Sequence, residues 1–270
     1  MSPHRIVTLI GKELRELRAN PGALMPALVL LVPSAGLPFL VLNVIPRLTD
    51  ETLASDENLQ HVIELTKMVQ PALASLPVEA ASQAFLLQQF LFLFLVGPIV
   101  AAVSLAAYSV VGEKQARTLE PLLTTPLTTL EILIAKVLAS LVPALITEAI
   151  GFALFVLMVS AFAEPGVLGA LLTVRTAVLL ALVGPLTALT ALQLAIAVSS
   201  RVSDPRSAQQ ISAIVVLPIA AILVGQITGV FIIGTAMLLL AALGLLAIWL
   251  VVATFSVALF QRETILTRWK

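Results

Sequence analysis

Long apolar stretches separated by short charged segments dominate the pattern of this chain. A helix that crosses a bilayer needs about 20 mostly apolar residues, because only intrahelical hydrogen bonds satisfy the backbone in lipid. Six stretches meet this requirement, near 24–46, 84–111, 132–160, 176–199, 210–229 and 231–260. The pattern therefore predicts an all-α, polytopic membrane protein with six transmembrane helices.

The last two stretches form a single uncharged run from Ile211 to Phe260. A continuous helix of that length would extend about 75 Å, more than twice the hydrocarbon thickness. The run must therefore fold back, and Gly225, Gly229 and Gly234 mark the expected place. A tight turn and a short re-entrant segment both remain open there.

Composition agrees with one membrane domain over residues 1–270. Of the 270 residues, 60% are hydrophobic and 11% charged, and the mean hydropathy is +1.09. A net charge of zero gives no reason to expect binding to nucleic acid. The chain has no cysteine, and His4 and His61 lie outside every apolar stretch, so we expect no metal site.

The basic residues predict the orientation. With the N-terminus in the cytoplasm, the external segments hold only Arg47, Lys67 and Arg175, which leaves twelve of the fifteen Lys and Arg residues inside. Cytoplasmic connections carry such an excess of basic residues. Six spans would place both termini in the cytoplasm, and we expect a multi-pass protein of the plasma (inner) membrane.

Two segments outside the spans have patterns of their own. Residues 5–18 place apolar side chains opposite charged ones at helical spacing, which predicts an amphipathic interfacial helix. Its predicted apolar positions are Ile6, Leu9, Ile10, Leu14 and Leu17, and its charged positions include Lys12 and Glu13.

Residues 47–83 form an acidic external segment in which one short helix is expected. The segment is either a solvated cap or a cation-attracting vestibule.

Residues 112–130, between the second and third spans, predict a short cytoplasmic helix. Thr118 can cap it, Pro121 suits its first turn, and Pro126 ends it. Thr128 and Glu131 have the spacing of a capping box that starts the next span, and Lys136 is expected to snorkel to the interface. A helix apolar on one side and acidic on the other is suited to the groove of a soluble partner.

These residues carry a resemblance to a known family. The chain resembles ABC-2 transporter membrane subunits, and most closely the sodium-exporter (NatB-type) permeases. The motif is met by Gly112, Glu113, Lys114, Thr118, Leu119, Glu120, Leu122, Leu123, Pro126, Glu131, Ile132 and Lys136. The Lys12-Glu13-Leu14 helix and the basic tail extend the likeness to the whole chain.

The resemblance implies a non-enzymatic permease of an ATP-driven exporter, which pairs with a second permease subunit and two cytoplasmic ATPase subunits. ATP and Mg would be bound by the ATPase, and this chain has no GxxxxGK[ST] phosphate loop. The resemblance also implies that the segment after the second span is a coupling helix that docks on the ATPase. The implied coupling residues are Glu113, Lys114, Arg117, Thr118, Leu119, Glu120, Pro121, Leu122, Leu123 and Pro126.

Glu148 lies near the middle of the third span, where a carboxylate costs at least about 2.5 kcal/mol. It could line a translocation path, together with Gln193, or it could be a neutral acid that is hydrogen-bonded to a residue such as Gln193. A stand-alone secondary transporter or channel that uses Glu148 is therefore the alternative function. An intramembrane enzyme is disfavoured, because the chain has no HExxH or GxSxG motif and no histidine in any span.

Overall fold

The structure is a computed structural model that describes residues 3–19, 25–49, 53, 57–115, 127–199, 210, 214, 216–230 and 232–259. The described residues form helices and no strand, which confirms the all-α prediction. The helices are α1 (Pro3–Ala19), α2 (Met25–Phe39), a π-helical turn π1 (Leu40–Val44), α3 (Ile45–Thr49), α4 (Glu57–Val69), α5 (Pro71–Ala74), α6 (Val78–Gln115), α7 (Thr129–Phe162), α8 (Val167–Leu171), α9 (Val174–Val178), a second π-helical turn π2 (Leu179–Val183), α10 (Gly184–Ser199), α11 (Val216–Ile227) and α12 (Thr235–Leu259).

Five helical stretches in the described part of the chain are long and apolar enough to cross a bilayer. They are Leu31–Leu48, Val78–Ser109, Thr129–Phe162, Val174–Ser199 and Thr235–Ser256. The stretch predicted at 210–229 contains α11, whose 12 residues extend only about 18 Å. Residues 211–213 and 215 lie outside the described residues, so the sixth span stays a prediction.

Helix is present at both ends of the predicted external segment, 47–83. It continues to Thr49 at one end and α6 begins at Val78 at the other, and the bounds of the external segment stay a prediction. The short helix expected in this segment is present as α4. Its Val62 and Ile63 pack with Ala81 and Phe85 of α6, because these apolar side chains leave solvent together.

Helix α7, the predicted third span, begins at the capping box that the sequence predicted. The Thr128 N–H donates to Glu131 Oε2 at 2.9 Å, and the Glu131 N–H donates to Thr128 Oγ1 at 3.2 Å. This reciprocal pair is a capping box, and it satisfies two backbone donors that the helix itself leaves unpaired. The prediction from the Thr128–Glu131 spacing is confirmed.

The uncharged run near the C-terminus is divided into two helices. Between Ile227 and Thr235 the helix is interrupted, and Gly229 adopts a φ of +71°, which is unfavourable for residues that carry a Cβ atom. A Cβ atom on Gly229 would also lie 3.1 Å from Val62 of α4. The break in the helix expected near these glycines is therefore present, and α4 packs against it at Gly229.

Helix α6 is the centre of the bundle. Buried residues make up 72% of its most apolar stretch, compared with 11% for α12. Ala188, Ala191 and Ala195 of α10, which packs against α6, are completely buried. Their small side chains at helical spacing let two backbones approach closely, as is usual between membrane helices. Helix α6 extends from α4 and α5 at its N-terminal end to α1 at its C-terminal end, just before the predicted coupling segment.

Candidate functional site

An ion-pair cluster joins α1, α6 and α7 next to the predicted coupling segment. Lys136 Nζ of α7 lies 2.9 Å from Glu13 Oε1 of α1 and 2.9 Å from Glu113 Oε2 of α6. Lys136 also donates to Ser109 Oγ at 2.7 Å, and Ser109 donates to Glu13 Oε2 at 2.7 Å. Lys12 donates to Glu113 and completes the cluster. Two acids and two lysines therefore balance one another's charge.

Burial of this cluster corrects two predictions. Lys136 was expected to snorkel to the interface, yet its side chain is only 1% exposed. Glu13 was expected on the solvated face of α1, yet it is 3% exposed. The reason is the same for both: a carboxylate and an ammonium group that meet across helices satisfy each other away from water.

The electrostatics of α1 follow from these contacts. Burial alone would raise the pKa of Glu13, but the charge of Lys136 and the hydrogen bonds from Ser109 and Lys136 lower it below the usual value. Burial is the largest single effect on Lys12 and lowers its pKa, but the hydrogen bond and charge of Glu113, the charge of Glu13 and the hydrogen bond to Glu16 together raise the pKa overall. Both groups are therefore held in their charged forms around neutral pH.

Three carboxylates of this region could be mistaken for a metal site. Oxygen atoms of Glu13, Glu16 and Glu113 lie within 4.8 Å of one another. The ammonium group of Lys12 lies among them, 3.2 Å from Glu16 and 3.6 Å from Glu13. Lys12 and Lys136 thus place two positive charges against these three carboxylates.

The predicted coupling segment begins at this cluster. Glu113 is buried in the last turn of α6, and Lys114 belongs to the same turn. Residues 116–126 lie outside the described residues. These residues include most of the predicted coupling positions: Arg117, Thr118, Leu119, Glu120, Pro121, Leu122, Leu123 and Pro126. Their roles stay predictions.

Glu148 lies on α7, 12 residues beyond Lys136 and thus about 18 Å further along the axis. Its Oε1 is buried and has no hydrogen-bond partner among the described residues, so this atom makes no bond to Gln193. It faces instead the start of α10, where a Cβ atom on Gly184 would lie 3.1 Å from Oε1. Gln193 is also buried, and its backbone carbonyl accepts a hydrogen bond from Ser256.

Glu148 lines two cavities. One, of about 190 Å³, lies between α2, α6 and α7 and is lined by apolar side chains except for Thr147 and Glu148. The other, of about 510 Å³, lies between α7 and the α8–α10 region. The π-helical turn π2 borders this second cavity through Leu180 and Ala181, and such turns are frequent at functional sites.

A second polar network lies near the opposite end of the bundle. The guanidinium of Arg175 donates to the Ile233 carbonyl at 3.0 Å, to Gln226 Oε1 at 3.1 Å and to Gln88 Oε1 at 3.5 Å. It lies over the ring of Phe92, with 5.6 Å between Cζ and the ring centroid. Sequence reasoning placed Arg175 in an external connection, but it is 5% exposed and ties α9 to α6, α11 and the residues before α12.

Sequence reasoning did not bring together the members of either network. The available signal was the presence of Lys136 within an apolar stretch, since an intramembrane charge generally has a partner. Nothing in the sequence identified Glu13 as that partner, because the charged spacing of α1 is also typical of a solvated helix face.

Comparison with known proteins identifies the family. The family model for the ABC-2 family transporter protein matches residues 7–238, which is most of the chain and includes both polar networks and Glu148. No curated protein matches the sequence. With five long apolar helical stretches in its described part, this chain is a multi-pass membrane protein and belongs to the ABC-2 family of transporter proteins, the membrane components of ABC transporters.

Proposed function

We propose that this chain is the permease subunit of an ATP-driven ABC-2 exporter. A separate cytoplasmic ATPase binds and hydrolyses ATP with Mg, and a second permease subunit, either a copy or a related chain, completes the pathway. The chain forms one membrane domain of six spans in the plasma (inner) membrane, with both termini in the cytoplasm and α1 at the interface. Transport is outward. Within the family, the motif after the second span favours a NatB-type permease.

The observation that carries the proposal is the ion-pair cluster at the base of the coupling segment. Lys136, Glu113 and Glu13 connect the two helices that flank residues 116–126 with α1. A force applied to the coupling segment would therefore move α6, α7 and α1 together rather than deform a loop. Close-packed, ion-paired helices transmit displacement in this way because their side chains have few alternative arrangements.

Co-purification tests the proposal. A tagged chain, extracted from its native membrane in mild detergent, is expected to retain a soluble protein with a GxxxxGK[ST] loop. A matched chain in which Glu120, Leu122 and Leu123 are all replaced by alanine should reach the membrane in equal amounts but lose that protein. Retention of the ATPase by the alanine chain would contradict the coupling role of these residues.

The second candidate function is a stand-alone secondary transporter or channel, and Glu148 is the observation that favours it. A carboxylate without a hydrogen-bond partner between two cavities is suited to ion coupling. The two functions differ in one requirement, since only the exporter needs a soluble partner. A chain that purifies without any ATPase and still concentrates a solute would favour this second function.

A further inference from the structure

The carboxyl group of Glu148 lacks a partner within the described part of the protein. Oε1 is buried without a hydrogen bond, and two nearby hydroxyls donate to backbone carbonyl groups instead. Thr147 donates to the Pro143 carbonyl at 2.9 Å, and Thr176 donates to the Leu171 carbonyl. A buried polar group without a partner is costly, so the group is suited to a ligand that supplies one.

Aromatic rings surround the smaller cavity. Phe152 and Phe155 follow Glu148 by four and seven residues, so they lie along the same face of α7. Phe94 of α6 makes edge-to-face contacts with both, with centroids 5.9 Å and 5.5 Å away. Phe90, Phe94 and Phe155 line the cavity itself. One carboxylate beside several phenyl rings matches a ligand with one positive charge and one apolar group.

The size of the cavity limits that apolar group. Its volume is about 190 Å³, and an apolar protein cavity of about 150 Å³ is known to hold benzene. There is thus room for one ring or a short branched chain beside the charge. An inorganic cation suits the cavity less well, because hard cations are held by about six oxygen atoms and only Thr147 and Glu148 contribute polar side chains.

We propose that the cavity between α2, α6 and α7 binds a small protonated amine that carries one aromatic or branched apolar group. Its ammonium group donates to the Glu148 carboxylate, and its apolar group lies among Phe90, Phe94 and Phe155. This proposal rests on the proposed function as a transporter and takes Glu148 as the translocation-path residue that the sequence suggested, and it adds the chemical class of the ligand. The single acid of the cavity gives the preference for a cation, and the volume of the cavity restricts the size of the ligand's apolar group.

Binding of a matched pair of probes tests the proposal without any transport assay. Benzylamine and benzyl alcohol have nearly the same shape, but only the amine is protonated at neutral pH. Binding of each is measured by equilibrium dialysis to the purified chain in lipid nanodiscs, with empty nanodiscs to correct for partition into lipid. We expect the amine to bind about tenfold or more tightly than the alcohol, as a charge-assisted hydrogen bond would provide.

Three variants locate the site. Glu148→Gln is expected to remove the preference for the amine, whereas Thr147→Val, in the same cavity, and Glu164→Gln, in an exposed turn, should keep it. Equal binding of both probes to the natural chain would overturn the proposal even if Glu148→Gln failed to fold. Displacement of benzylamine by sodium ions, but not by N-methylglucamine at equal ionic strength, would also overturn it in favour of an inorganic cation.

These outcomes are separate from those for the proposed function. Binding is measured on the permease alone, whereas the exporter proposal depends on co-purification with an ATPase. A chain that retains its ATPase and shows no amine preference would refute only the ligand class. A chain that prefers the amine but purifies without an ATPase would refute the exporter and keep the site.

Discussion

Lys136 Nζ and Glu13 Oε1 lie 2.9 Å apart, although 123 positions separate the two residues in sequence. This contact fixes the N-terminal helix α1 against α7 at the end of the bundle where the predicted coupling segment begins. Glu113 of α6 is held by the same ammonium group. The three helices therefore form one unit, and disruption of this contact should affect stability and partner response together.

Lys136→Met should destabilise the protein strongly. The substitution leaves Glu13 and Glu113 buried without Lys136, and removal of one member of a buried ion pair costs about 3–5 kcal/mol. The measurement is the apparent unfolding temperature in detergent. Lys67→Met is the matched control, because its partner Glu64 is 65% exposed and such pairs contribute about 1 kcal/mol or less. Equal losses in the two variants would contradict the role of the cluster.

The lowered pKa of Glu13 predicts how the stability of the protein changes with pH in the acid range. Its folded-state pKa is lowered, so its stabilising effect is complete above the ordinary glutamate pKa and is lost as the pH falls through the folded-state value. Glu13→Gln should therefore show a shallower loss of stability than the natural protein over this acid range. Unfolding temperatures of both proteins are measured against pH. Parallel curves would show that Glu13 does not gain stability from its contacts.

Arg175→Lys should weaken the opposite end of the bundle. A lysine keeps the charge but lacks the planar fork that reaches Gln226 and the Ile233 carbonyl together. Loss of hydrogen bonds to a charged group costs about 1.5–3 kcal/mol. Arg15→Lys, at an exposed position of α1, is the control and should have little effect. If both variants unfold at the same temperature, the Arg175 network does not stabilise the bundle.

Gly229→Ala and Gly244→Ala should have opposite effects. Alanine at position 229 requires a positive φ, which costs about 1–2 kcal/mol, and its Cβ would crowd Val62. Gly244 lies within α12 with no atom near its missing Cβ, so alanine there should stabilise the helix by about 0.5–1 kcal/mol. Unfolding temperatures distinguish the two. Addition of Val62→Ala should recover only the steric part of the loss at 229.

Features of the fold that depend on nearby residues could be predicted from the sequence. The Thr128–Glu131 capping box needs only residues three positions apart, and the break at Gly229 follows from a length limit and a glycine. The positions of the long apolar helices were predictable for the same reason. The ends of these helices were less predictable. Helix α6 begins at Val78, six residues before the expected start, and Ser82 in its first turns accepts a hydrogen bond from Gln60 of α4.

The candidate site was predictable only in part. Glu148 stood out as a charge in an apolar helix, but a helix that is apolar on all sides does not reveal which face meets which neighbour. The sequence therefore left its neighbours open, with Gln193 as one possible partner, and in the structure Oε1 lies against Gly184. The Glu13–Lys136 contact depends on the packing of α1 on α7, which no local pattern encodes.

The central claim is that a separate ATPase drives this chain through the coupling segment. The most direct test is ATP hydrolysis in proteoliposomes that contain the co-purified ATPase and either the natural chain or the chain with Glu120, Leu122 and Leu123 replaced by alanine. We predict that the natural chain stimulates hydrolysis and that the alanine chain, inserted in equal amount, reduces it to the level of the ATPase alone. Undiminished stimulation by the alanine chain would contradict the account.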